Sequence, residues 1–291
     1  MIIFRKLFLF LSWIISLLPF WILNLKSYFS YLLIHYVIKY RKKVVTENLK
    51  LCFPNKTDVE RKKISKKFYR NLTDLFFEVL KLKTISAEEL NKRFEIKNPE
   101  ILNKLYSQNK SILVAIGHCG NWEWLGPLLA SQYEFKVFGP AKPLNDPFFN
   151  GFMNSIRSRF GFEPINFKLS YRTLLRHKNI ATASLMAGDQ NPVKSDQNYW
   201  TTFLNRETPF FDGIEKMAKA LDLAVVYFDV QRKKRGYYQA ELQLITDTPN
   251  QCSENQIIDK YIRFLEESIV KHPDNWLWSH RRWKYKKEAN N

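Results

Sequence analysis

The sequence predicts an α/β chain, a single mixed, mostly parallel sheet covered by helices on both faces, with an N-terminal hydrophobic membrane-anchor helix. Three observations carry this expectation. Short apolar runs of strand length alternate with helix-length amphipathic runs from about Phe94 onward, the pattern of strands joined by helical crossovers. Residues 7 to 25 carry no charge, and roughly 20 such residues suffice to cross a bilayer. No internal repeat, low-complexity tract or linker rich in Gly, Ser or Pro divides the chain. The simplest organisation is therefore an anchor and interfacial segment over 1–40 followed by one domain over 41–291.

The anchor is flanked by Arg5 and Lys6 before it and Lys26 after it. It lacks the small-x-small site of a cleaved signal peptide, so it is expected to be retained. Pro19 is placed to kink it, and the aromatic continuation Tyr28 to Tyr40 suits the bilayer interface. Whether the segment spans or re-enters is open at this stage. The 291 residues carry 46 Lys and Arg against 28 Asp and Glu, a net charge of +18. Such an excess suits a polyanion or an anionic membrane surface. Arg41, Lys42 and Lys43 follow the anchor directly, and that placement favours the membrane, with no nucleic acid expected. Cys52, Cys119 and Cys252 have neither metal-ligand spacing nor an even count, so they read as reduced thiols.

Thr57 to Glu60 fits a capping box, and Ile64, Phe68, Leu72, Leu75, Phe76 and Val79 have helical spacing. The lysines of that helix point to solvent or onto anionic headgroups. Strand-like runs follow at 94–97, 112–116, 135–138, 180–186 and 224–230. Helix-like runs stand between them at about 99–109, 121–131, 146–160, 169–177 and 209–221. Lys233 to Gly236 reads as a turn, and Tyr237 to Ile245 alternates, so a hairpin is expected to close one edge of the sheet. Residues 254–271 form a last amphipathic helix.

His118 and Glu123 sit where the run 112–116 gives way to a helix, and ligands bind at the carboxyl ends of strands in open α/β sheets. On one regular helix the two residues would stand about 140° apart. They meet only if His118 lies in the strand-to-helix turn and Glu123 in the first helical turn, an arrangement that Gly117, Gly120 and Asn121 favour. A carboxylate on one ring nitrogen makes the other a general base toward a hydroxyl. The same residues also suit a simple helix cap, and the pattern alone leaves both readings open. Cys119 reads as a small packed residue rather than a nucleophile.

The segment Gly117-His118-Cys119-Gly120-Asn121-Trp122-Glu123 resembles the His-x-x-x-x-Asp/Glu motif of the late acyltransferases of lipid A biosynthesis, within the lysophospholipid-acyltransferase-like superfamily. Other blocks agree in order: Asn48 to Pro54 with the Asn-Leu-x-x-x-Phe-Pro stretch, Arg157 to Gly161 with an arginine-containing block, Asp189-Gln190, and Pro273 to Lys284 with the closing signature. Cys119 replaces a common Phe, and Tyr199 to Asn205 lacks the usual Phe-Phe-Gly. The resemblance implies an acyltransferase domain over 41–291 and transfer of a fatty acyl chain from acyl carrier protein or acyl-CoA to a lipid acceptor. It places the enzyme at the cell inner membrane with the catalytic domain on the cytoplasmic face, and implies no metal or cofactor. His118 would be the base and Glu123 its support. The oxyanion would be met by N–H groups of 117–120 or by an arginine. Arg157 or Arg159 would bind an acceptor phosphate, and Asp189 would orient an arginine or cap a strand end. An aminolipid or glycolipid acceptor is the alternative within this chemistry. A non-catalytic basic membrane- or nucleic-acid-binding protein is the alternative outside it. The mixed aromatic and basic run Trp276 to Lys287 could stack bases and neutralise phosphates, but beside an N-terminal anchor it is read as a membrane interface, the alternative being tryptophans packed beneath the sheet with only the lysines facing solvent.

Overall fold

A computed structural model describes residues 2–193, 197, 199–285 and 287. Within the expected domains, Met1, Lys194, Ser195, Asp196, Asn198, Lys286 and the last four positions lie outside these residues. The apolar N-terminal run does not form one anchor helix. It is divided into α1 (Ile2–Leu17) and α2 (Phe20–Leu32), the latter continuing into a π-helical turn, Leu33–Val37. Pro19 makes the division: its ring fixes φ at −65° and steers Leu18 out of the helical region. Among the described residues no helix is long and apolar enough to cross a membrane. Residues 16 and 18 instead offer their carbonyls to the Lys81 ammonium at 2.9 and 3.0 Å, and Phe8 packs edge-on against Phe148, Phe149 and Phe152. The opposite face leaves Ile3, Phe4, Phe10 and Trp21 exposed.

Two helices follow, α3 (Lys42–Cys52) and α4 (Asp58–Lys81). The expected capping box opens α4, Thr57 accepting from the Glu60 N–H while the Glu60 carboxylate accepts from the Thr57 N–H. Next come α5 (Ala87–Arg93), β1 (Phe94–Ile96), α6 (Glu100–Ser107), β2 (Ile112–Ile116), α7 (Trp122–Gln132), β3 (Lys136–Ala141), α8 (Pro147–Arg157) and β4 (Glu163–Asn166). The chain continues through α9 (Ser170–Arg176), β5 (Thr182–Ala187), β6 (Tyr199–Phe203), β7 (Arg206–Phe210), α10 (Gly213–Leu221), β8 (Ala224–Lys234), β9 (Tyr237–Thr246) and α11 (Gln256–Lys271).

Seven strands form one mixed sheet in the order β1-β9-β8-β2-β5-β3-β4. Within this sheet, among the described residues, only β8 and β9 pair antiparallel. The hairpin expected at an edge lies inside, because β1 adds parallel to β9. β4 and the separate β6–β7 hairpin go beyond the sequence reading. β7 (206–210) in particular takes residues 209 and 210 from the start of the expected helix 209–221, and α10 begins only at Gly213.

β2 is central and buried at all five positions. Its side chains alternate between two cores. Leu113 and Ala115 join the core that contains Ile214, Ile258 and Leu265 of α10 and α11; Ile112, Val114 and Ile116 join the one that contains Leu90, Leu102 and Leu125 of α5, α6 and α7. Helices thus cover both faces, and each buried aliphatic side chain contributes about 1.5–3 kcal/mol. The tryptophans of the closing segment belong to the core and not to an interface: Trp276 and Trp278 are buried, with Arg282 buried over the Phe210 ring. Asn48 donates to the carbonyls of Trp278 and His280, at 3.0 and 3.1 Å, so the first and last blocks of the family pattern lock together.

Candidate active site

Parallel pairing sets Ile116 at the end of β2 opposite Ala187 at the end of β5. Each chain runs two residues further, and His118 arrives beside Asp189. The His118 Nδ1 lies 2.5 Å from Asp189 Oδ1, and the His118 backbone N–H donates to Oδ2 at 2.8 Å. The Trp276 indole N–H donates to the same Oδ2 at 2.7 Å. An ionised carboxylate only accepts, so the ring proton sits on Nδ1 and Nε2 keeps its lone pair. The Gln190 side-chain amide nitrogen lies 3.1 Å from that Nε2.

The electrostatics follow from this cage. Burial alone would raise the Asp189 carboxyl, but His118 and the two N–H donors hold it down at about 2. Burial would likewise depress the imidazole. The Asp189 charge and hydrogen bond overcome that and lift His118 above the ordinary histidine value, with Glu123 adding to the rise and Arg157 opposing it.

Glu123 does stand in the first turn of α7, as its spacing requires, yet the carboxylate that meets the ring is Asp189. Glu123 instead receives a two-pronged ion pair from Arg157 at the end of α8, with Nε at 2.7 Å and Nη2 at 2.6 Å. Arg159, two residues on, turns away. It donates to the carbonyls of Leu82 and Ile85, both at 2.7 Å, tying the end of α4 to its neighbour, and it does not line the cleft.

Beside His118 opens a cleft of about 140 Å³. His118, Glu123 and Arg157 form its polar side, and Gly139, Pro140, Phe162 and Leu185 contribute apolar walls. Phe162 fills the angle between α7 and β3, which is possible because residues 126 and 139 are glycine. A Cβ on Gly139 would stand 2.1 Å from the Phe162 ring.

The turn that carries His118 is held from beneath by a carboxylate that sequence reasoning missed. Asn121 caps α7 by accepting the Trp124 N–H at 3.2 Å, and its amide donates to Glu78 Oε2 at 2.9 Å. The Tyr238 hydroxyl donates to the same oxygen at 2.7 Å, and burial pushes the Glu78 carboxyl up. The available signal was Glu78 lying three residues after Leu75, a carboxylate on the apolar stripe of α4. Gly120 adopts φ +57°, where glycine carries no Cβ penalty, and its N–H donates to the Asn275 carbonyl at 3.1 Å. The amides of His118 and Gly120, two of those expected to meet an oxyanion, are therefore already engaged. Cys119 is buried, and burial pushes its thiol well up, away from the thiolate a nucleophile needs. Among the described residues no group of three or more His, Cys, Asp or Glu side chains is arranged to hold a metal ion.

A family model described as bacterial lipid A biosynthesis acyltransferase matches residues 2–285. Lipid A biosynthesis acyltransferase 2 of Shigella flexneri is 22% identical over 237 residues, covering 80% of this chain and 74% of that protein. The lipid A biosynthesis acyltransferase of Haemophilus influenzae is 21% identical over 248 residues, covering 84% of this chain and 76% of its own length. The lipid A biosynthesis palmitoleoyltransferase of Escherichia coli K12 is 22% identical over 249 residues, 85% of this chain and 80% of that one.

Proposed function

Because the chain belongs to the bacterial lipid A biosynthesis acyltransferase family, and is an acyltransferase, we propose that it moves a fatty acyl group from a thioester to a hydroxyl of a lipid A precursor. The observation that carries the mechanism is the His118–Asp189 pair at the mouth of the cleft. Asp189 holds the proton on Nδ1, and Nε2 takes the proton of the acceptor hydroxyl as its oxygen attacks the thioester carbonyl. Collapse of the tetrahedral intermediate expels the thiolate, which recovers the proton from the imidazolium. Gln190 occupies the position of the incoming hydroxyl and yields it to substrate.

Glu123 supports the imidazolium through its charge, at a distance, and holds Arg157 in place. Arg157 spends Nε and one Nη2 hydrogen on Glu123, and its remaining donors suit an anionic oxygen in the cleft, either the thioester oxyanion or an acceptor phosphate. The apolar walls suit the acyl chain. Acyl carrier protein is the preferred donor, with acyl-CoA the alternative, since a chain of charge +18 favours an acidic partner. The exposed apolar faces of α1 and α2, next to Arg41, Lys42 and Lys43, support work at the cytoplasmic face of the inner membrane from a surface-lying segment.

Purified enzyme incubated with a lipid A precursor and either thioester tests this reading. The expected outcome is a lipid heavier by one acyl chain together with one free thiol, faster with the carrier-protein thioester. Thiol release without an acylated lipid, from any precursor offered, would contradict it.

A further inference from the structure

A second pocket, of about 270 Å³, opens where the π-helical turn meets α3 and α4. It is lined by His35, Tyr36, Lys42, Lys50, Lys62 and Lys66, among others. Its one carboxylate, Asp58, is taken by Arg61 at 2.7 Å, and none of the four lysines forms an ion pair among the described residues. His35 is 5% exposed and stacked on Tyr31, and its buried Nδ1 has no hydrogen-bond partner. A buried polar atom without a partner carries a penalty that a ligand would remove. The π-helical turn that supplies His35 and Tyr36 also exposes Leu33 and Val37, and Ile38 and Tyr40 just beyond it are exposed too, an apolar rim adjoining the cationic cup along the chain.

We propose that this pocket binds the phosphate of a membrane phospholipid, Lys42 and Lys66 pairing with its oxygens beside His35, while the acyl chains follow the apolar rim. The cup alone suits any phosphate; the rim is what selects a lipid. Burial and then the charges of Lys42 and Lys66 depress the His35 imidazole, so a bound anion has a built-in reporter. The proposal rests on the membrane-surface reading above and not on the catalytic one.

The test uses the full chain in an uncharged detergent with its histidine rings isotopically labelled for NMR, the His35 signal being identified by its loss in His35→Phe. Short-chain phosphatidylglycerol, used as single molecules without a bilayer, is expected to shift the His35 signal saturably and leave His118 in place. Each lysine at an anionic lipid is worth about fivefold in affinity, so Lys42→Gln with Lys66→Gln weakens binding about 25-fold. The His118 signal reports that this variant remains folded. Absence of a His35 response, or an equal response in the double variant, overturns the proposal. Equal affinity for inorganic phosphate would make the pocket a free-anion site and overturn the lipid assignment. A chain that floats with phosphatidylglycerol vesicles yet shows no His35 response refutes the pocket while the membrane reading stands.

Discussion

Acyl transfer by the His118→Ala enzyme falls by about 10³-fold or more, within the range by which a positioned base accelerates proton transfer and allowing for loss of the group it orients. The variant remains folded, because the imidazole lies at the cleft and its removal leaves both cores intact. What it does lose is the one imidazole that lines the cleft among the described residues. The other titratable groups lining the cleft among the described residues, Glu123 and Arg157, neutralise each other. Steady-state rates on a fixed thioester and acceptor, with far-ultraviolet circular dichroism as the control, read this outcome. A variant within tenfold of the parent would remove His118 from the mechanism.

Asp189→Asn has an effect of similar size by a different route, on the order of 10³–10⁴-fold. An amide can present its NH₂ to Nδ1, which drives the ring proton to Nε2 and leaves no lone pair for the hydroxyl. The change also reads out in pH. The parent base works neutral, so its rate rises with pH and is half-maximal at the His118 pKa, above the ordinary histidine value. Removing the carboxylate leaves burial as the dominant influence on the ring, and burial depresses an imidazole. The acid limb of the residual activity therefore moves to lower pH. Glu123→Gln is expected to move it in the same direction but less, with a smaller loss of rate, because Glu123 acts on the ring only through space. If the two variants changed places, Glu123 would be the orienting carboxylate and the geometric reading would fail.

The exchange of partners between Asp189 and Glu123 shows where a sequence stops being informative. Local patterning located β2, the turn at Gly117 to Asn121, and Glu123 in the first turn of α7, since strand length, glycine positions and capping are local properties. The pairing of His118 with Asp189 depends on β5 lying next to β2 in a register that puts Ile116 opposite Ala187. Such register is set by packing across 71 residues of sequence separation, and no local period encodes it. The resemblance singled out Asp189-Gln190, but the expected task of Asp189 was to orient an arginine or cap a strand end, whereas its carboxylate meets His118. Glu78 is similar: its helix was legible, but its bonds to Asn121 and Tyr238 join three separate elements.

The N-terminal segment illustrates a second limit. Its lack of charge was plain, and Pro19 was the recognised place for a kink. That the kink divides the run into two helices held to the body by Lys81 and by the phenylalanines of α8 requires tertiary contacts. The closing Trp and Arg residues misled for a related reason. Indole and guanidinium suit a membrane interface and a buried network equally, and here Trp276 is spent on Asp189 and Arg282 on the carbonyl of Pro209.

The most direct test of the central claim is the mass spectrum of lipid A from cells lacking the gene, complemented with the parent enzyme or with His118→Ala. The expected result is lipid A short of one acyl chain in the deletion strain, restored by the parent enzyme and not by the variant. Unchanged lipid A on deletion, with loss of an acylated aminolipid or other glycolipid instead, would contradict the assignment of the acceptor. Full restoration by His118→Ala would contradict the chemistry.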